Sequence, residues 1–281
     1  MEIVILSGKG GTGKTTIAKA LSQVHKPNVR VDADVDAPNF YLYSGGDIKL
    51  EEIFYGGKKV VRDTTKCMGC GRCEDVCKYG AITKTSLDLF ACEGCGACTY
   101  VCPQNALQLV DDKGADVFIS KDEDGILSHA QMEIGADGSG KLITELRKNA
   151  KKFNKDNFDI IIDGSPGIGC AVMASLTNTQ LALLVTEPTI SGLSDMKRAY
   201  DTCKYFKVPA IVCINKYGLN DDMTNQIEDF CKKEGIEVVG RIPYDDMVRQ
   251  AINKLKPITD YKESEASKAI YKMYEKMKKY L

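Results

Sequence analysis

Residues 8 to 15 read GKGGTGKT, directly after the apolar run EIVILS (2 to 7) and at the start of a helical stretch over about 14 to 25. A Gly-x4-Gly-Lys-Thr loop in that setting commits the chain to a strand, a tight turn and a helix whose first backbone N–H groups face a phosphate. Gly8, Gly10, Gly11 and Gly13 free the backbone to turn inward. Lys14 places its charge between the terminal phosphates, and the Thr15 hydroxyl suits magnesium. Gly8 to Thr16, with Lys9 and Thr12 among them, are therefore the expected nucleotide-binding residues. The competing reading is a glycine-rich turn that merely caps a helix.

The rest of the chain alternates strands and helices. A second strand ends near Asp32, a helix lies near 141 to 153, and FDIIID (158 to 163), LALLVT (181 to 186), AIVCIN (210 to 215) and VVGRI (238 to 242) read as further strands. Continuous apolar strands separated by helices imply an α/β fold: a mostly parallel sheet with helices on both faces. Residues 111 to 140, with five glycines and several acids, read as loop-rich. No run approaches the roughly 18 apolar residues of a membrane span, and the N-terminus lacks a secretory signal, so the expected location is the cytoplasm. A net charge of -1 provides no global field for nucleic acid or an anionic membrane.

Twelve cysteines is a high count, and in a reducing compartment regular thiol spacing points to metal or redox chemistry before disulfides. Eight form two copies of one pattern: Cys67, Cys70, Cys73 and Cys77, then Cys92, Cys95, Cys98 and Cys102, offset by 25 residues. Ala81 maps to Ala106 and Ile82 to Leu107, so the duplication includes the apolar residues that would pack beside each site. The segment 59–112 reads as an inserted domain that divides the surrounding domain into 1–58 and 113–281.

SGKGGTGKTT (7 to 16) resembles the deviant Walker A loop of the MinD/ParA and nitrogenase iron protein class of P-loop ATPases. The resemblance implies ATP and Mg2+ as cofactors and an ATP-sandwiching dimer in which Lys9 reaches the nucleotide of the opposite subunit. It further implies that VDADVDAPN (31 to 39) is switch I, with Asp34 orienting the attacking water and Asp32 nearer the metal. Asp163 would hold magnesium through water, and Gly167 would offer its N–H to the γ-phosphate. Asn215, with Lys216, and Pro243 with Tyr244 match the adenine-binding places. Ordinary readings stand beside these: a solvated Lys9, turn acids at 32 and 34, packing at 243 and 244. TEPTISGLSDMKRA (186 to 199) and HAQMEIGADGSGKLI (129 to 143) resemble a branch of the MinD superfamily that carries an inserted ferredoxin domain. His129 is the unusual side chain there, with a packing role as its plain reading.

The spacing C-x2-C-x2-C-x3-C resembles that of bacterial ferredoxins, in which the fourth cysteine ligates the other cluster. Cluster one would take Cys67, Cys70, Cys73 and Cys102, and cluster two Cys92, Cys95, Cys98 and Cys77, giving two 4Fe-4S clusters per chain. Zinc is the competing metal, although its sites favour two separated C-x2-4-C pairs. Lys78 stands where the pattern has the proline that Pro103 supplies after Cys102. Six basic and seven acidic residues balance across the segment, so shape and apolar contact are expected to matter more for its partner than steering.

Cys203, Cys213 and Cys231 read as buried small residues. Cys170, seven residues after Asp163, occupies the offset of a bridging cysteine in the nitrogenase iron protein, against a packed thiol as the alternative. The amphipathic stretch 264 to 281 suits core packing or, as in MinD, a membrane surface. The leading function is an ATPase that couples nucleotide to electron transfer, as a homodimer or a heterodimer with a paralogue, serving a redox or metallocofactor partner. The alternatives are a cluster-assembly carrier like the related Mrp ATPases and a redox-sensing positional switch like MinD.

Overall fold

A computed structural model describes residues 1–44, 46–136 and 139–281. The chain divides into two compact units: Met1–Glu51 with Val117–Gln131 and Ser139–Leu281, and Glu52–Asp116 with Met132–Gly138.

In the first unit, β1 (Glu2–Ser7) is buried along its whole length. It runs parallel to β6 (Asp159–Pro166) on one side and β7 (Leu181–Thr186) on the other. β2 (Asn28–Asp32) pairs in parallel with β6 and with β5 (Gly125–Met132), while β8 (Ala210–Tyr217) and β9 (Val238–Pro243) continue the sheet beyond β7. With β3 (Asp47–Arg62) and β4 (Leu107–Asp122) the order is β3-β4-β5-β2-β6-β1-β7-β8-β9. The pleat sends Ile3 and Ile5 to one face, where Ile17 and Leu21 of α1 (Lys14–Val24), Ala251 of α8 (Asp246–Asn253) and Ile270 and Met273 of α9 (Glu265–Met277) cover them. Val4 and Leu6 point to the opposite face and are equally buried, so both faces are covered, as continuous apolar strands require.

Two expectations need correction. Residues 111 to 140 are largely strand, not loop: β4 ends at Asp122 and β5 begins at Gly125, a two-residue connection that makes a hairpin. The signal was the alternation of buried Ala115, Val117 and Ile119, which the glycines and acids obscure. β3 was also missed; it begins at Asp47, and most of its residues are exposed, so it lacks the apolar run of an interior strand.

α9 uses its apolar face internally. Ala266, Ile270, Met273 and Met277 are all buried in the core, which leaves its lysine-rich face outward. Among the described residues no helix is long and apolar enough to cross a membrane. The remaining helices of this unit are α4 (Ser139–Phe153), α5 (Cys170–Leu176), α6 (Ile190–Phe206) and α7 (Asp221–Glu234).

The second unit repeats itself. α2 (Arg72–Val76) and α3 (Ala97–Val101) lie 25 residues apart, the offset of the cysteine pattern. The backbone follows: Gly71 and Gly96 have φ of 81° and 77°, and Cys77 and Cys102 have ψ of 105° and 108°. Ala81, Ile82, Ala106 and Leu107 are all buried, and a small core gathers Val60, Ala81, Ile82 and Leu107 around Cys92 and Cys98.

Candidate nucleotide and metal sites

The loop after β1 and the first turn of α1 open onto a cavity of about 710 Å³, lined by Gly10 to Thr16, by Asp34, Asp36 and Asn39, and by Ser165, Gly169 and Cys170. Gly13 is left-handed at φ 89°, and a Cβ there would meet Asn215 Nδ2 at 2.3 Å, so this position needs glycine twice over. Gly8 lies against the Asp195 backbone of α6. A second cavity of about 220 Å³ continues from Gly11, Gly13 and Thr16 to Asn215, Lys216, Pro243 and Tyr244. The expected phosphate and base residues thus share one continuous neighbourhood. Arg249 and Ile252 of α8 join them, Ile252 lining both cavities; the only signal for these in the sequence is the amphipathic turn after Tyr244.

Three carboxylates converge behind the loop. Lys14 Nζ donates to Asp163 at 2.9 Å and to Asp34 at 3.3 Å. Burial alone would lower the Lys14 pKa, but Asp163 and Asp34 hold it above the usual lysine value. Asp32 is pushed up to about 8 by burial and by the Asp163 carboxylate, against the Phe40 N–H, which donates to it at 2.9 Å, and Lys14. Asp34 is raised by burial, with Lys14 opposing. Asp163 Oδ2 and Thr12 Oγ1 are buried with no partner among the described residues. Thr12 and Asp34 line the cavity and Asp163 stands behind Lys14; oxygens left without a partner there, with threonine and aspartate as donors, are of the kind that a hydrated magnesium ion and phosphate take.

Two expected groups are engaged elsewhere. Lys9 pairs with Glu187 at 2.6 Å and donates to Ser191 Oγ at 2.9 Å, within its own chain. The Gly167 N–H donates to the Ser7 carbonyl at 2.9 Å, so offering it to a phosphate requires that loop to move. Asn215 Nδ2 donates to the Thr12 carbonyl at 2.7 Å, where it props the phosphate loop.

In the second unit the eight cysteines sort into two cavities of similar size. Cys67, Cys70, Cys73 and Cys102 line one, and Cys77, Cys92, Cys95 and Cys98 line the other, each of about 20 Å³. Each takes three thiols from one copy of the repeat and the fourth from the other. All twelve cysteines of the chain are free thiols. Among the described residues no three Cys, His, Asp or Glu side chains, the three carboxylates behind the phosphate loop included, are spaced to hold a single ion as they stand; the four-and-four grouping of the thiols is the arrangement a polynuclear centre uses, whereas tetrahedral zinc favours two separated pairs. The Cys77 thiol is lowered despite burial, because the N–H groups of Tyr79, Ala81, Ile82 and Gly80 face it. Cys98 is raised by burial and by the neighbouring Cys92, Cys95 and Cys73.

Residues 3–258 match the model of the CobQ/CobB/MinD/ParA nucleotide binding domain. The chain belongs to that family. An uncharacterised protein of Methanocaldococcus jannaschii is 33% identical over 287 residues, covering 100% of this chain and 98% of the relative. An iron-sulfur cluster carrier protein of Pyrococcus horikoshii is 25% identical over 298 residues, covering 98% and 85%. The fold is similar to that of the cell division ATPase MinD of Pyrococcus furiosus, with a TM-score of 0.62 at 23% identity over 100% of this chain and 99% of that one. MinD of Pyrococcus horikoshii, solved with Mg-ADP, gives 0.61 at 21% identity over 98% and 95%.

As a MinD/ParA-type P-loop ATPase, the protein has its remaining cysteines in two classes. Cys203, Cys213 and Cys231 are buried, and burial pushes their thiols up to about 12, 12 and 11. Such thiols are inert packing groups. Cys170 is exposed at the first turn of α5 and lines the phosphate cavity. His129 stacks between Tyr41 at 5.5 Å and Phe118 at 5.2 Å, and burial lowers it to about 4. It is a neutral packing residue in this ATPase.

Proposed function

We propose that this ATPase carries two 4Fe-4S clusters in a ferredoxin-like insert and uses its nucleotide cycle, in a dimer, to control electron transfer through them. The observation that carries the reading is the sorting of eight thiols into two four-thiol cavities, each drawing on both halves of the repeat. A centre held from both halves is tied into the fold, which suits a resident electron carrier. The clusters would supply one-electron chemistry at potentials set by hydrogen bonds and local charge. Cys67, Cys70, Cys73 and Cys102 would hold one, and Cys92, Cys95, Cys98 and Cys77 the other.

On the nucleotide side, Lys14 exchanges its contacts with Asp163 and Asp34 for the terminal phosphates. Thr15 and Asp163 would hold magnesium, which would neutralise charge on the phosphates, with Asp32 behind them, and Asp34, released from Lys14, would orient the attacking water. Lys9 leaves Glu187 to stabilise charge on the partner subunit's nucleotide, and Asn215, Pro243 and Tyr244 hold the base. Switch I runs through the short turn Phe40–Tyr43 into β3, whose later residues belong to the second unit. That continuity of chain is the reason to expect nucleotide state to be felt by the clusters.

A second reading, cluster delivery to acceptor proteins, is favoured by the iron-sulfur cluster carrier relatives at 25% identity. The deciding experiment is a paramagnetic-resonance redox titration of anaerobically purified protein, with and without MgATP, alongside iron analysis. Electron transfer predicts about eight irons per chain and midpoints that move with nucleotide. Nucleotide-independent midpoints, together with transfer of iron and sulfide to an apo acceptor, would establish the carrier instead.

A further inference from the structure

The charges of the second unit are unevenly placed, although six basic and seven acidic residues nearly cancel between 59 and 112. The cavity of Cys67, Cys70, Cys73 and Cys102 is lined by Arg62, Arg72 and Lys84 and, among the described residues, by no acid. The cavity of Cys77, Cys92, Cys95 and Cys98 is lined by Glu93 and by no base. Four other lysines of the unit are matched, Lys58 with Asp111, Lys59 with Asp112, Lys66 with Asp63, and Lys113 with Asp116 and Glu133, whereas Lys78, outside both cavities, is not among the ion pairs of the described residues. Arg62, Arg72 and Lys84 have no such carboxylate among the described residues. Arg62 is instead fixed to backbone, donating to the Lys84 carbonyl at 2.9 Å and to that of Ser86 at 3.2 Å. Lys84 is fixed too: its backbone N–H donates to Glu74 at 2.9 Å, and its stem lies so close over Gly71 that a Cβ there would meet Lys84 Cε at 2.4 Å. Met68, 64% exposed, stands at the same cavity.

A cavity whose lining gathers three cations and no acid, with an exposed thioether beside it, is the more basic of the two faces and the better complement of an acidic protein surface, even with the Glu74 carboxylate at the Lys84 backbone and with the thiolate centre that would draw on the same cations. We propose that the rim formed by Arg62, Arg72, Lys84 and Met68 is the docking face for an acidic electron-carrier protein. The inference rests on the electron-transfer reading above. The step is a single-electron exchange: the reduced carrier loses one electron, the thiolate-held centre behind the rim gains it, and no bond or proton moves. The charge balance of the segment as a whole conceals this, so the expectation that steering plays little part does not apply to this face.

The test uses the full-length, anaerobically purified protein and an acidic flavodoxin in its hydroquinone form, followed by stopped-flow absorbance. The wild-type rate constant is expected to fall steeply with ionic strength, as steered encounters do. The double variant Arg72→Glu/Lys84→Glu should lose about tenfold or more at low salt and converge on wild type at high salt. Arg72→Gln/Lys84→Gln, a gentler change, should lose less, and Lys78→Glu, outside both cavity linings, should change little. Reduction by the cationic methyl viologen radical should be unchanged or faster in the charge-reversed protein. A salt-independent rate, an equal loss with viologen, or an equal loss in Lys78→Glu would overturn the docking face. Wild-type protein with no iron-sulfur signal would overturn the cluster reading itself, a separate result seen before any carrier is added.

Discussion

The Lys9 ammonium lies 2.6 Å from a carboxylate oxygen of Glu187, whose other oxygen accepts from Lys216 at 2.8 Å. Despite partial burial, which works the other way, Lys216 and Lys9 hold the Glu187 pKa below its usual value. In the dimer proposed above, a lysine held within its own chain could not serve the neighbouring subunit, so the pair would oppose closure. Partly exposed ion pairs contribute roughly 0.2–1 kcal/mol. Glu187→Gln is therefore expected to tighten the ATP-induced dimer by about two- to fivefold, measured by sedimentation velocity. Lys9→Ala should bind ATP normally yet hydrolyse it about a thousandfold more slowly.

Asp32 sets a pH dependence of the opposite sign to that of an ordinary paired carboxylate. Its folded pKa of about 8 exceeds the unfolded value near 3.8, so between those limits the folded chain holds the extra proton. Stability of the nucleotide-free protein should fall as pH rises through that window and flatten above it. Thermal unfolding at pH 5.5 and 8.5 in the presence of a chelator measures this. Asp32→Asn should remove most of the slope, and MgATP, which favours the ionised form, should reverse it.

Cys170 is expected to report nucleotide occupancy. It is exposed and lines the phosphate cavity, so MgATP at about 100 times its Kd should slow alkylation by iodoacetamide roughly tenfold or more. Mass spectrometry of the tryptic peptide gives the rate. Cys203, Cys213 and Cys231 should remain unlabelled in both conditions, and equal labelling of Cys170 with and without MgATP would place it outside the occupied site.

His129 should make the first unit acid-sensitive. Its folded pKa of about 4 lies below the unfolded 6.5, so its contribution is complete above pH 6.5 and is lost as pH falls toward 4. Protonation sets a desolvated charge between Tyr41 and Phe118. His129→Gln is expected to flatten the stability profile between pH 4 and 6.5 while lowering the plateau by about 1 kcal/mol through lost stacking, as read from urea midpoints.

The phosphate loop and both sets of four cysteines could be read from the sequence because their chemistry requires fixed residue types at fixed local spacings. The second cavity was half legible: Asn215 lies near the end of β8 and Tyr244 follows the last residue of β9, whereas Arg249 and Ile252 reach it only through the placement of α8. β3 and β4 were illegible for another reason. Most of the side chains of β3 face solvent and those of β4 are interrupted by Asp111, Asp112 and Gly114, so neither offers the apolar run that marks the interior strands. The parking of Lys9 on Glu187 joins residues 178 positions apart, and the cationic rim depends on where Lys84 folds back over Gly71. Both are products of tertiary placement, which a count of charges averages away.

The exchange of one thiol between the two halves of the cysteine repeat bears on how the protein matures. If each cavity holds a cluster as proposed, neither half would complete its own coordination set, and a centre entering one cavity would order the loop that the other needs. Chains made under iron starvation should accordingly sort into empty and fully loaded molecules, with half-filled ones scarce.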